Sequence, residues 1–167
     1  MIVFDSSTLI LIARIELLGP FLANAESRVP IPMEVERECC GVKMTLDALM
    51  IKKALEEGQI EVAAAKNCNL VAKLQFDFNL GKGEAEAIAL AVKEKAQLLG
   101  IDDKNGINAC KLLSIPFTTA VGILVRSREK GLLDHREALA KLKALAGYGR
   151  YKPAIVEDAR GRMEQRK

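Results

Sequence analysis

Aromatic residues and histidine are scarce in this chain, and each scarcity removes a class of function. Aromatic residues make up 4% of the 167 residues and tryptophan is absent, so we do not expect nucleic-acid bases to stack on aromatic side chains. The single histidine, His135, lies at the start of a predicted helix. Catalysis by a pair of histidines is therefore excluded, and a surface position for His135 is favoured.

Cysteine is present without a metal-binding pattern. Cys39, Cys40, Cys68 and Cys110 include no CxxC pair and have no histidine nearby, so we expect buried free thiols rather than a zinc site. No apolar run reaches the roughly 20 residues that a membrane-spanning helix needs, and no signal peptide precedes the first strand-like run. These features predict a soluble, cytoplasmic protein with no membrane partner.

The net charge is +3, from 25 basic and 22 acidic residues, which is too small to mark a nucleic-acid binder. The basic residues are concentrated towards the C-terminus, at Lys141, Lys143, Arg150, Lys152, Arg160, Arg162, Arg166 and Lys167. A solvated helix face and a phosphate-binding edge explain such a run equally well.

Aliphatic residues are abundant, and their spacing predicts the fold class. Short apolar runs predict five strands, at residues 1–4, 27–31, 60–64, 98–101 and 115–118. Helical periodicity predicts helices at 8–15, 17–24 with a break near Gly19 and Pro20, 32–40, 46–57, 81–95, 103–113, 120–130, 134–145 and 153–165. Residues 66–79 give no clear pattern. Alternating strands and helices predict one α/β domain whose parallel sheet has helices on both faces.

Four acidic residues occupy positions where charge is costly. Asp5 and Asp102 each end an apolar strand-like run, and Glu38 and Glu84 lie on apolar helix faces. Ligands of parallel α/β folds bind at the carboxyl ends of strands. Convergent carboxylates in apolar surroundings usually hold a cation, and an oxygen-only donor set suits Mg²⁺ or Mn²⁺. The four acids therefore predict metal-dependent phosphodiester chemistry.

Helix spacing distinguishes Glu84 from its neighbour Glu86. The residues three, four and seven positions after Glu84 are all apolar, whereas the series from Glu86 reaches Lys93. Glu84 is therefore the better candidate for a buried ligand. Glu86 points elsewhere and is a candidate for an outer metal group.

Each acid also has a purely structural explanation. Asp5 can cap the following helix, and Glu84 is favoured in a first helical turn by the helix dipole. Of the pair Asp102 and Asp103, one can be the helix cap and the other the ligand; we favour Asp102 as the ligand and Asp103 as the cap or an outer group. Glu38 carries the least weight alone, because helices contain many glutamates.

Ser6 follows the first acid directly. Its hydroxyl is a candidate donor to a ligating carboxylate or to phosphate, and helix capping is its structural alternative.

The contexts of the four acids resemble the PIN-domain family of metal-dependent ribonucleases. The acids occur in order within VFDSS, IPMEVEREC, GEAEAIALA and LLGIDDKNGINAC. The resemblance covers about residues 1–150, and it is closest to the branch with a GEAEAIALA helix followed by an IDD strand end. We therefore expect a PIN-like domain over 1–150 and a C-terminal helix over 151–167, packed on or extending from it.

The resemblance implies a three-layer α/β/α sandwich around a central parallel sheet of about five strands. It also implies cleavage of single-stranded RNA with Mg²⁺ or Mn²⁺, often by homodimers. Many relatives, the VapC-like ones, are toxins that pair with an antitoxin protein. The metal-binding and catalytic residues it implies are Asp5, Glu38, Glu84 and Asp102, with Glu86 and Asp103 as helpers.

Two positions depart from the family pattern. A glutamate stands at 84 in place of the commoner aspartate, and Gly100 stands where many members have threonine or serine. A hydroxyl at that position would contact the last aspartate from outside the metal shell.

Two other functions compete with the nuclease. A catalytically weak or inactive PIN-like module would bind RNA or protein without turnover. A phosphatase with an aspartyl nucleophile fits Asp5 at a strand end, but it requires a second aspartate two residues later, where Ser7 stands.

Overall fold

Five short strands alternate with ten helices in a computed structural model, which describes residues 1–42, 44–65 and 67–164. The strands are β1 (Ile2–Phe4), β2 (Pro30–Pro32), β3 (Glu61–Ala63), β4 (Leu98–Gly100) and β5 (Phe117–Thr118). The helices are α1 (Ser6–Arg14), α2 (Leu18–Ala23), α3 (Met33–Cys40), α4 (Leu46–Glu56), α5 (Cys68–Phe78), α6 (Lys82–Glu94), α7 (Lys104–Leu112), α8 (Ala120–Glu129), α9 (His135–Tyr148) and α10 (Pro153–Glu164). This alternation confirms the predicted α/β class.

The predicted elements are present with small shifts at their ends, and two local predictions are corrected. The break predicted near Gly19 and Pro20 is wrong: both residues lie inside α2, and the chain instead turns at Glu16, whose φ is +54°. Residues 66–79, which gave no pattern, contain α5. The predicted helix end at 165, together with the basic residues at 166 and 167, lies outside the described residues.

All strand pairs are parallel, and they form a three-stranded sheet, β1-β4-β5, and a two-stranded sheet, β2-β3. The two sheets adjoin where the backbone N–H of Ile2 donates to the carbonyl oxygen of Arg28 at 3.0 Å, just before β2. Across both sheets the strands therefore follow the order β3-β2-β1-β4-β5. The chain reverses its direction of winding between β1 and β4, which is where ligands bind in folds of this type.

Two apolar cores cover the opposite faces of the strands. Phe4 belongs to the core that is lined by α1–α4 and α8–α10, whereas Val3 belongs to the core that is lined by α5–α7. Successive residues of a strand point to opposite faces, so β1 serves both cores. This arrangement is the three-layer α/β/α sandwich that the family resemblance implied.

In the described parts of the chain the cysteines form no disulfide, and they only partly follow the expectation of burial. Cys39, Cys40 and Cys110 are buried, whereas Cys68 is exposed at the first residue of α5, so the expectation is wrong for that thiol. Among the described residues, the helices are all too short or too polar to cross a bilayer.

Candidate metal and catalytic site

Asp5 and Asp102 meet at the carboxyl ends of two neighbouring parallel strands. Phe4 of β1 pairs in register with Gly100 of β4, and the backbone N–H of Asp5 donates to the carbonyl oxygen of Gly100 at 2.9 Å. Asp102 follows β4 after a single residue, Ile101. The two aspartates that the sequence placed at strand ends therefore lie together, at the point where the strand order reverses.

Asp5 is fully buried and is also the N-cap of α1. Its Oδ1 accepts from the backbone N–H of Thr8 at 2.8 Å, and its Oδ2 accepts from the Ser7 hydroxyl at 2.6 Å. Burial raises the pKa of Asp5 to about 7, and the charge of Asp102 adds to that rise. The Asp5 side chain thus caps α1 and also lies close to Asp102.

Asp102 accepts hydrogen bonds from three parts of the chain. Its Oδ2 accepts from the Thr8 hydroxyl at 2.9 Å and from the backbone N–H of Ala120 at 2.8 Å. Its Oδ1 accepts from the Tyr151 hydroxyl at 2.5 Å. Burial raises the pKa of Asp102 although all three donors oppose the rise. The pKa of Tyr151 is raised by burial and by the charge of Asp102, so its hydroxyl keeps the proton that it donates.

Thr8 supplies the hydroxyl that position 100 lacks. A Cβ atom on Gly100 would lie 2.4 Å from Cδ1 of Phe4, so threonine or serine fits there only if Phe4 moves. Thr8, one turn into α1, instead reaches Asp102 with its hydroxyl while its backbone N–H binds Asp5. The contact to the last aspartate is therefore present, and it comes from a different element.

Glu38 and Glu84 lie around the first turn of α6, close to Asp103. A Cβ atom on Gly83 would lie 2.5 Å from Oε2 of Glu38, which places the Glu38 carboxylate against this turn. Glu84 accepts from the backbone N–H of Gly81 at 2.5 Å. Burial raises the pKa of Glu84, and the charges of Asp103 and Glu38 raise it further. Asp103 and Glu38 therefore lie near enough to Glu84 for their charges to act on it.

Asp103 caps the next helix, as the sequence favoured. It is the N-cap of α7, and its Oδ1 accepts from the backbone N–H of Gly106 at 2.8 Å. Ser6 is the first residue of α1, and its carbonyl oxygen contacts the Cys39 thiol at 3.9 Å. The hydroxyls that reach Asp5 and Asp102 are those of the two residues after Ser6, so the role expected of the Ser6 hydroxyl stays a prediction.

Glu86 faces the start of α3 rather than the paired aspartates. Its Oε2 accepts from the backbone N–H of Glu34 at 3.3 Å, which satisfies a donor at a helix start where Pro32 offers no capping side chain. The Nζ of Lys82 lies 3.8 Å from Oε1 of Glu86 and 3.0 Å from Oε2 of Glu34. Glu84 and Glu86 thus face different neighbours, as their helical spacing predicted.

Glu34 is a buried acid that the sequence reasoning did not single out. It is 7% exposed, and it forms ion pairs with Arg37 and Lys82, which lower its pKa. Since two cationic side chains already compensate its charge, a metal ion is not needed there. The spacing of three residues between Glu34 and Arg37 was the available signal for this pair.

The acids fit a hard divalent cation by the chemistry of their donor atoms. In the ranges that the structure describes, no three acidic, cysteine or histidine side chains are grouped closely enough to hold an ion as they stand. Every candidate donor is nonetheless a carboxylate oxygen, which suits Mg²⁺ or Mn²⁺. Burial raises the pKa values of Asp5, Glu84 and Asp102, and a bound cation would favour the ionised forms that burial disfavours.

Four groups at this site were missed by the sequence reasoning: Ser7, Thr8, the backbone N–H of Ala120 and Tyr151. In the sequence Thr8 stood out only as the first residue of a predicted helix, and Ser7 only as the position where a phosphatase would require a second aspartate. Tyr151 is 49 residues from Asp102 in sequence, and no local pattern connects the two.

The family comparison agrees with the geometry. The family model described as a PIN domain matches residues 1–165. Comparisons with curated proteins and with solved structures give no match.

Proposed function

This chain belongs to the PIN-domain family, and we propose that it is a Mg²⁺- or Mn²⁺-dependent endoribonuclease that cleaves phosphodiester bonds of single-stranded RNA. PIN domains are typically nucleases and generally use divalent metals, so the family indicates a nuclease-type hydrolase. The choice of RNA, the endonucleolytic cut and the identity of the metal belong to the proposal.

The observation that carries the proposal is the convergence of Asp5 and Asp102. Asp5 is fully buried and Asp102 is partly buried at adjacent strand ends, and Thr8 bonds to both of them. Burying two carboxylates side by side is costly unless a cation compensates them. Glu38 and Glu84 add two more carboxylates at the first turn of α6.

The residues have separable roles in this proposal. A divalent cation in such a site activates a water molecule and neutralises negative charge on the phosphodiester. Asp5, Glu38, Glu84 and Asp102 would hold it with their carboxylate oxygens, with Asp103 and Glu86 as outer groups. Thr8 orients Asp5 and Asp102 through its N–H and its hydroxyl. Ser7 holds the second oxygen of Asp5.

The test is cleavage of end-labelled single-stranded RNA by the purified protein. We expect cleavage with Mg²⁺ or Mn²⁺, none in the presence of chelator, and none by Asp102→Asn, which removes the charge and keeps the shape. Asp134→Asn is the matched control, because Asp134 caps α9 through a bond to the N–H of Glu137, a role that asparagine fills equally well.

Two results would contradict the proposal. One is undiminished cleavage in chelator, and the other is equal activity of Asp102→Asn and the wild type. Circular dichroism of both variants shows whether any loss of activity reflects unfolding.

The binding module without turnover is the second candidate. It is favoured by the protein donors that already occupy the carboxylates, since Asp102 alone accepts three hydrogen bonds. The same RNAs distinguish the two functions: retention of RNA in a gel-shift assay, with no cleavage at any Mg²⁺ or Mn²⁺ concentration, supports the binding module.

We further propose that the nuclease acts as the toxin of a toxin–antitoxin pair and functions as a homodimer. Both statements rest on the family resemblance. Induced expression in a bacterial host should arrest growth with the wild type and not with Asp102→Asn. Sedimentation of the purified protein measures its oligomeric state, and co-purification with a product of a neighbouring small gene tests for an antitoxin.

A further inference from the structure

Tyr151 connects helices α9 and α10 to the carboxylate of Asp102, which follows β4. It lies in the short segment between α9 and α10, and its hydroxyl donates to Oδ1 of Asp102 at 2.5 Å. We infer that Tyr151 is a positioning residue that fixes the orientation of the Asp102 carboxylate, so that the segment between α9 and α10 would form part of the metal site. This inference rests on the function proposed above.

The two oxygens of Asp102 are held differently. Oδ2 accepts two hydrogen bonds, from the Thr8 hydroxyl and the Ala120 N–H, whereas Oδ1 accepts from Tyr151. A carboxylate oxygen has about two lone-pair directions. Both lone-pair directions of Oδ2 are therefore occupied, and one lone-pair direction of Oδ1 would remain for a cation. The hydroxyl of Tyr151 fixes the rotation of the carboxylate and thereby aims that remaining direction.

The Tyr151 ring is held in a close-fitting position. It packs against the core that is lined by α1–α4 and α8–α10. A Cβ atom on Gly149 would lie 2.2 Å from Cε2 of the ring and 3.0 Å from Cζ. The backbone of Gly149 has φ −93° and ψ 157°, an extended conformation that any residue adopts. Glycine is therefore needed at this position because of the ring and not because of the backbone.

The part of the chain from α8 to α10 contacts Asp102 at two points. Ala120 is the first residue of α8, and its N–H is the other contact from this part of the chain. α10 packs on both α8 and α9, with Ala159 and Met163 buried in the same core. A shift in the position of α9 or α10 would therefore change the orientation of the Asp102 carboxylate directly, through the hydrogen bond from Tyr151.

The test compares Tyr151→Phe with Tyr148→Phe, which removes the hydroxyl of the only other tyrosine. Tyr148 lies on α9, is 54% exposed and has Arg14 over its ring. We expect Tyr151→Phe to weaken Mn²⁺ binding, measured by calorimetry or electron paramagnetic resonance, by about 10- to 100-fold, the usual cost of losing an outer partner of a metal ligand. Tyr148→Phe should bind Mn²⁺ as the wild type does.

Gly149→Ala gives an independent perturbation that keeps every polar group. Its Cβ displaces the Tyr151 ring, so we expect the same direction of change in Mn²⁺ affinity as for Tyr151→Phe. Gly147→Ala is its control, because a Cβ there meets no atom within 4 Å.

The activity assay separates positioning from a merely structural role. For Tyr151→Phe, the Mg²⁺ concentration for half-maximal cleavage should rise about tenfold and the KM for RNA should stay unchanged. A structural role would lower the active fraction and leave the Mg²⁺ requirement as it is. All measurements are made at a temperature at which circular dichroism shows each variant folded.

Two outcomes distinguish failure of this inference from failure of the proposed function. Wild-type protein that binds Mn²⁺, together with a Tyr151→Phe variant that binds it equally tightly, overturns the inference alone. Wild-type protein that binds no Mn²⁺ and cleaves no RNA overturns the proposed function and this inference with it.

Discussion

Thr8 joins the two central aspartates through its backbone and its side chain. Its N–H donates to Asp5 at 2.8 Å, and its hydroxyl donates to Asp102, 94 residues away in sequence, at 2.9 Å. Thr8 is fully buried, so water does not replace either partner. Thr8 of α1 therefore links the two carboxylates, alongside the other donors that hold each of them.

Thr8→Val should lower the free energy of unfolding by about 1.5–3 kcal/mol, the usual value of a hydrogen bond to a charged group. Valine keeps the shape and loses the donor to Asp102. Urea unfolding measures the change. Thr8→Ser is the control, since it keeps the hydroxyl and loses only a methyl group. Equal stability of the valine variant and the wild type would contradict the role of this bond.

Gly100→Ser should destabilise the fold even though it restores the hydroxyl common in the family. The new Cβ would lie 2.4 Å from Phe4 in the core, and overpacking of this kind costs about 1–3 kcal/mol. Gly147→Ser is the matched control, because a Cβ there meets no atom within 4 Å. Thermal unfolding compares the two. A Gly100→Ser protein as stable as the wild type would show that Phe4 moves without cost.

Stability without metal should fall as the pH rises from about 4 to about 7. Burial raises the pKa of Asp5 from 3.8 to about 7, so in this window the folded protein holds a proton that the unfolded chain has released. The folded state binds more protons, and its stability therefore decreases with pH. The pKa values of Asp102 and Glu84 are also raised, so both groups act in the same direction.

Asp5→Asn tests the source of that pH dependence. In chelator the variant should be more stable than the wild type at pH 8, by on the order of a few kcal/mol, and similar to it at pH 4. Calorimetry at pH 4, 6 and 8 measures how the stability of each protein changes with pH, with Asp134→Asn as the control. Parallel slopes for Asp5→Asn and the wild type would assign the effect to other groups.

Glu84→Gln and Glu86→Gln should differ in metal binding. Glutamine at 84 keeps an oxygen for the N–H of Gly81 and removes the charge beside Glu38 and Asp103, so Mn²⁺ affinity should fall by at least about tenfold. Glu86 faces Glu34 and Lys82, so Glu86→Gln should lose less Mn²⁺ affinity than Glu84→Gln. Calorimetric titration with Mn²⁺ measures both. A larger loss at 86 would reverse the two assignments.

The sequence predicted local features well because they depend on neighbours in the chain. Periodicity located most of the elements, and spacing along α6 predicted that Glu84 and Glu86 face different neighbours. It misjudged Gly19 and Pro20, since a proline in a first helical turn is tolerated. It gave no result for α5, whose buried residues Val71 and Leu74 form too short an apolar stripe for a periodicity to stand out.

The sequence by itself determined the α/β class, the PIN-like order of the four acids and the placing of Asp5 and Asp102 at strand ends. Only the tertiary structure decided which groups hold those acids. Thr8, Ala120 and Tyr151 reach Asp102 from three distant parts of the chain, and Gly100 is small because Phe4 fills its space. The physical reason is that strand ends and helix faces follow from local spacing, whereas hydrogen bonds between distant segments depend on how the helices pack on the sheet.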